Sequence, residues 1–184
     1  MALLSLNEAK AQLDIETNTH DAELQAYVDS LTAVIERHVG PGEDRTVSEV
    51  VNSRGLALAL TQVPAVSLTS LTPLLTGGLA IGTDEVFVDG DSGVVRRLDG
   101  APFSGGPWRA VYVAGRGSVH PTINLAARIL LQHLWRTQYG ASLALSGIGG
   151  GEDFAVTEAA PGWWYAVPNR VLQLLEPFNV PPGM

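Results

Sequence analysis

From Arg45 to about Gly115 the apolar residues recur at every second position, whereas before and after that stretch they recur at every third or fourth. A period of two belongs to strands and a period of 3.6 to helices, so the chain carries a β-rich insertion between helical flanks. Its 184 residues suit one domain with an inserted module and are too few for two full enzymatic domains. With 46% hydrophobic and 16% charged residues it can bury a core, which excludes general disorder. The expected fold class is α+β: a small helical bundle with helices near 5–16, 20–39, 121–139 and 168–176, and the β-rich insertion at about 45–115 between helices two and three. Residues 1–140 then form one domain, 141–166 a flexible loop, and 167–184 a separate C-terminal segment.

Local signals set the boundaries. Ser5-Leu6-Asn7-Glu8 is a capping box, in which the Ser5 hydroxyl accepts from the Glu8 amide while Glu8 reaches back to Ser5. The second helix carries Leu24, Tyr27, Val28, Leu31, Ile35 and Val39 as a stripe and ends at Gly40-Pro41. Strands are expected at Thr46–Val51, Leu56–Thr61, Val66–Leu71, Glu85–Val88, Gly93–Leu98 and Trp108–Ala114, with Asp89-Gly90-Asp91-Ser92 as a hairpin turn. Pro64 and Pro73 mark strand boundaries or an edge. Pro121 preorganises the first turn of the longest helix, whose face runs from Ile123 to Leu134 and Trp135 and which is expected to stop at Gly140.

Nineteen acidic against eleven basic residues give a net charge of -8, so the surface repels phosphate backbones and non-specific nucleic-acid binding is disfavoured. The absence of cysteine removes disulfides, thiolate catalysis and zinc–thiolate sites. Met1–Asn7 lacks the basic start of a signal peptide, and no run approaches about 20 apolar residues, so the expectation is an unexported protein without a membrane partner.

The motifs of serine hydrolases, P-loop enzymes and zinc proteases are missing. His20, His38, His120 and His133 show no metal-binding spacing. Asp89 and Asp91 imitate the start of a calcium loop, but Gly100 stands where its bidentate Glu belongs. Gly115-Arg116-Gly117 reads as a strand-to-helix connection in preference to an anion site. Glu43 with Asp44, and Glu152 with Asp153, are loop carboxylates expected to be solvated. No catalytic, cofactor or metal residue is assigned, and the chain is not expected to be an enzyme.

Two apolar features remain. Trp163-Trp164-Tyr165 could stack on a sugar, anchor an interface, or simply pack on the core. Val171, Leu172, Leu175 and Phe178 follow the glycine-rich stretch Gly147–Gly151 on a short helix, and either pack intramolecularly or wait for a neighbour to cover them.

Taken in order, Ser5-Leu6-Asn7-Glu8-Ala9-Lys10-Ala11-Gln12-Leu13, Asp21-Ala22-Glu23-Leu24-Gln25-Ala26-Tyr27-Val28 continuing to Ile35-Glu36, Pro64-Ala65-Val66, Val111-Tyr112-Val113-Ala114-Gly115, and Pro121 with its helix to Leu134-Trp135 give the chain its character. This arrangement resembles the head–tail connector (adaptor, or head-completion) proteins of long-tailed double-stranded DNA phages. The resemblance implies a virion neck protein, assembled in the host cytoplasm, that forms a homo-oligomeric ring, commonly twelve-fold, between the portal and the tail-side stopper or tail-terminator proteins. It implies no cofactor. Double-stranded DNA would pass the acidic channel without specific binding during genome ejection. The C-terminal segment of such proteins docks on the portal, which points to Val167, Pro168, Arg170, Val171, Leu172, Leu175, Pro177 and Phe178 as portal- or neighbour-binding residues. The extended β module departs from the purely helical members. Alternatives from other classes are a carbohydrate- or receptor-binding β module of a virion, and an acidic hydrolase with at least one strongly perturbed carboxyl group.

Overall fold

The computed structural model describes residues 2–144 and 167–180. The chain divides into two compact units, one built from Ala2–Ala33 with Pro121–Glu176 and the other from Val34–His120 with the C-terminal residues from Pro177. Among the described residues, four helices and two small antiparallel sheets make a mixed α+β fold, as the change of period requires.

In the helical unit, α1 (Leu6–Leu13) opens on the capping box: the Ser5 amide donates to Glu8 Oε2 at 2.9 Å and the Glu8 amide to Ser5 Oγ at 3.3 Å. It ends three residues before the expected position 16. Asp14 turns into the left-handed region at φ 57°, and the amides of Asp14 and Ile15 both close on the Lys10 carbonyl. Helix α2 (Asp21–Val39) carries Leu24, Val28, Leu31, Ile35 and Val39 fully buried at three- and four-residue spacing, and its last six residues belong to the other unit. Tyr27, at the margin of the stripe, meets Trp135 edge to face, with ring centroids 5.8 Å apart.

Helix α3 (Pro121–Ala144) starts at its proline as expected but runs through Gly140, four residues into the stretch read as loop. A glycine inside a helix costs only about 1 kcal/mol relative to alanine, and Ala141, Leu143 and Ala144 are good helix formers that offset it. Helix α4 (Asn169–Leu175) packs on α3 and is followed by a 3₁₀ turn at Glu176–Phe178.

The β unit holds β1 (Arg45–Val51), β2 (Ala57–Ala59), β3 (Ala65–Pro73), β4 (Val86–Asp89), β5 (Val94–Arg97) and β6 (Trp108–Ala114). One sheet has the order β1-β6-β3 and the other β2-β5-β4. Buried Trp108, Ala110, Tyr112 and Ala114 alternate along β6 and share a core with Leu58, Leu71, Val95 and Phe103. Pro73 closes β3, an edge strand, where its missing N–H breaks no ladder. Strand β2 covers only three of the six expected residues. A turn closed by Arg54 N to Ala57 O at 2.9 Å takes up Leu56, which is left exposed.

Gly40 ends α2 at φ +75°, and a Cβ there would stand 1.7 Å from the Val63 carbonyl oxygen. Both the conformation and the space exclude a side chain.

Candidate functional site

Three groups of residues bear on function: the C-terminal segment, the outer face of the first sheet, and the carboxylates.

On α4, spacing alone decides which side chains turn inward. Val171 and Leu175, four apart, are 0% and 1% exposed, whereas Leu172 is 38% exposed and Arg170 is exposed. Val167 and Pro168 are half-buried ahead of the helix, Pro177 is exposed, and Phe178 is half-buried. Of the two readings left open for the apolar tail, Val171 and Leu175 follow the intramolecular one, because α3 offers them a surface to pack on. Of the residues singled out on this segment, Arg170, Leu172 and Pro177 remain exposed. Trp163-Trp164-Tyr165, the glycine stretch and Glu152-Asp153 lie outside the described residues.

Sequence reasoning treated Arg116 as part of a connection, and the structure gives it partners as well. Its Nη2 donates to the carbonyl oxygens of Val39 and Phe178, each at 3.0 Å, and its guanidinium carbon sits 5.3 Å from the Phe178 ring centroid. Burial lowers its pKa, with the charge of Asp91 opposing that shift. One signal was available: an arginine immediately after a buried strand, between two glycines, has its charge close to the protein body.

The register of the first sheet assembles a surface that no single segment displays. Opposite the core-facing positions, Thr46–Val113–Ser67, Ser48–Val111–Ser70 and Val50–Arg109–Thr72 form three cross-strand rows. They contain no carboxylate, although the chain has nineteen. On the other face, Tyr112 Oη donates to Glu49 Oε1 at 2.9 Å and accepts from the Gln62 amide at 2.9 Å. Burial raises the Tyr112 pKa, and the neighbouring Glu49 charge adds to the shift.

The carboxylates with shifted acidity are all held ionised. Ser5 hydrogen bonds, with help from Arg128, lower Glu8 to about 2, and the Arg97 guanidinium, with the Ala101 amide, lowers Asp99 to about 2. The Ser92 hydroxyl lowers Asp89. None is raised, so none of these three is poised to donate a proton near neutrality. Asp89 is a turn residue: it accepts from Ser92 Oγ at 2.6 Å and from the Asp91 amide at 3.3 Å, which favours the plain hairpin reading over a calcium loop. Asp44 Oδ1 likewise accepts from the Gly117 amide at 2.7 Å.

Among the described residues no group of three or more His, Cys, Asp or Glu is placed to hold a metal, and no helix is long and apolar enough to cross a membrane. A depression of about 660 Å³ opens between the Leu75–Ile81 loop, the Glu85 and Arg97 side chains, and Trp108.

No protein-family model matches the chain, and no curated protein matches it. Solved structures do. A chain from the neck of an empty gene transfer agent (GTA) particle, computed with sixfold symmetry, superposes with a TM-score of 0.64 at 18% identity, covering 99% of this chain and 92% of that one. A chain from the neck of a native GTA particle, computed with twelvefold symmetry, gives a TM-score of 0.62 at 19% identity over 99% and 91%. A chain from the virion of the native particle gives 0.61 at 18% over 99% and 92%. At such identities the likeness establishes a shared fold across nearly the whole chain.

Proposed function

We propose that this protein is a structural component of a phage-like head–tail neck, a head–tail connector that forms a homo-oligomeric ring between the portal and the tail-side stopper or tail-terminator proteins. The observation that carries the reading is the end-to-end match to chains from symmetric neck assemblies, with both the helical flanks and the β module included. A match confined to one unit would leave the other unexplained.

Three further features support it. A net charge of -8 per copy gives a twelvefold ring roughly a hundred negative charges, and an acidic bore repels a duplex and lets it slide. Copies that repel one another need a meeting place without negative charge, and the carboxylate-free rows of the first sheet offer one. On the C-terminal segment, exposed Arg170, Leu172 and Pro177 offer mixed polar and apolar contact to the portal without drawing Val171 or Leu175 out of the core.

Negative-stain imaging of the full chain, alone and with the portal of the same particle, tests the reading. Rings with an axial opening, seated on the portal, are the expected result. Monomers that leave the portal bare at every concentration would overturn it.

A further inference from the structure

Two stretches far apart in the chain, 38–39 and 116–120, converge on its last described residues. Arg116, in the link between β6 and α3, bonds the Val39 carbonyl at the end of α2 and the Phe178 carbonyl, and lies over the Phe178 ring. The His120 ring lies 4.8 Å from the same ring, and the Val180 amide donates to the His38 carbonyl at 3.0 Å. A guanidinium suits the task because one of its nitrogens can serve two carbonyls while its planar face meets an aromatic ring. The Val39 carbonyl is also one of the unsatisfied acceptors at a helix C-terminus, where a cation is favoured. The glycine before Arg116 keeps the link close to the chain beside it: a Cβ at Gly115 would come within 2.5 Å of the Asp44 backbone.

We infer that Arg116 is the positioning residue of the C-terminal segment, holding residues 177–180 in place so that this part of the segment meets its partner already ordered. The inference rests on the docking role proposed above. Its physical content is preorganisation: a segment ordered before binding does not lose that conformational freedom on binding, so its affinity is higher than that of the same contacts made by a loose tail.

The test has two arms, both on the full-length chain. In the free protein, hydrogen exchange of the Val180 amide should quicken at least about tenfold in Arg116→Ala, with β6 amides unchanged. Arg116→Lys should fall between, since an ammonium can donate to the carbonyls but has no planar face to lay against the Phe178 ring. Unchanged Val180 exchange in Arg116→Ala overturns the inference.

In the second arm, affinity for the portal is measured. Arg116→Ala and Phe178→Leu should each weaken it by about tenfold or more, and the double variant should lose less than the sum of the two, because both loosen the same anchor. Additive losses, or unchanged affinity once Val180 has loosened, overturn the positioning role. Should Arg116→Ala fail to fold, Arg116→Lys and Phe178→Leu carry both arms. Leu172→Asp separates the two ideas: if it abolishes docking while Arg116 variants do not, docking stands and positioning falls. If neither it nor the Arg116 variants affect docking, the docking role itself is wrong.

Discussion

Arg128 Nη2 donates to Glu8 Oε1 at 2.8 Å, joining the third helix to the cap of the first across 120 positions of sequence. Arg128 Nε also bonds Asn124 Oδ1 at 2.8 Å, and Asn124 Nδ2 donates to the Leu3 carbonyl at 3.0 Å. One carboxylate thus serves a helix cap and a tertiary link together.

Glu8 should make stability depend on pH in the acid range. Its folded pKa, about 2, lies below the ordinary glutamate value. The unfolded chain therefore binds the proton more readily, and the contribution is present above about pH 4.5 and lost as pH falls toward 2. Melting curves between pH 6 and pH 2 should show a steeper loss for the native chain than for Glu8→Gln. Equal slopes would mean that Glu8 is not the responsible group. At neutral pH, Glu8→Ala should cost about 1 kcal/mol, or about 3 °C in Tm.

Tyr112 should behave as a buried, hydrogen-bonded phenol. Its pKa is raised by burial, so ultraviolet titration of the folded protein should leave it protonated where exposed tyrosines ionise, near pH 10. Tyr112→Phe orphans the Gln62 amide and removes a donor from Glu49, with an expected cost of about 1–3 kcal/mol in denaturant unfolding.

Two leucines three residues apart should separate folding from docking. Leu175→Ala removes a fully buried side chain and should destabilise by about 2–5 kcal/mol. Leu172→Asp changes an exposed position and should leave Tm nearly unaltered while weakening portal binding. A large Tm loss in Leu172→Asp would remove it from the docking surface.

New carboxylates on the carboxylate-free sheet face should oppose ring closure. Ser48→Asp with Ser70→Asp should sediment as a folded monomer under conditions where the native chain forms rings, and added salt should partly restore assembly by screening. Ser118→Asp, exposed and away from those rows, is the control. Rings formed equally well by the double variant would exclude this face from the subunit contact.

The features legible in the amino-acid order are local ones. The Ser5–Glu8 box, the α2 stripe, the alternation of Trp108, Ala110 and Tyr112, and the Asp89 turn each depend on neighbours within a few positions, and each appears where the pattern puts it. Four positions were not readable, the first two because a competing local signal won and the last two because they depend on a distant partner. Gly140 sits inside a helix because the residues beyond it sustain the helix. Leu56 leaves its strand because a turn takes it up, and Val171 and Leu175 are buried because α3 is there to receive them.

Periodicity alone therefore determined that this chain is helical at both ends and β-rich between, because backbone geometry links side-chain spacing directly to secondary structure. Tertiary structure alone decided that Arg116 would hold the residue at position 178, and that three strands would line up a face free of negative charge. Register and long-range contact join residues that no local rule connects, and which of them meet is settled only when the whole chain lowers its free energy together.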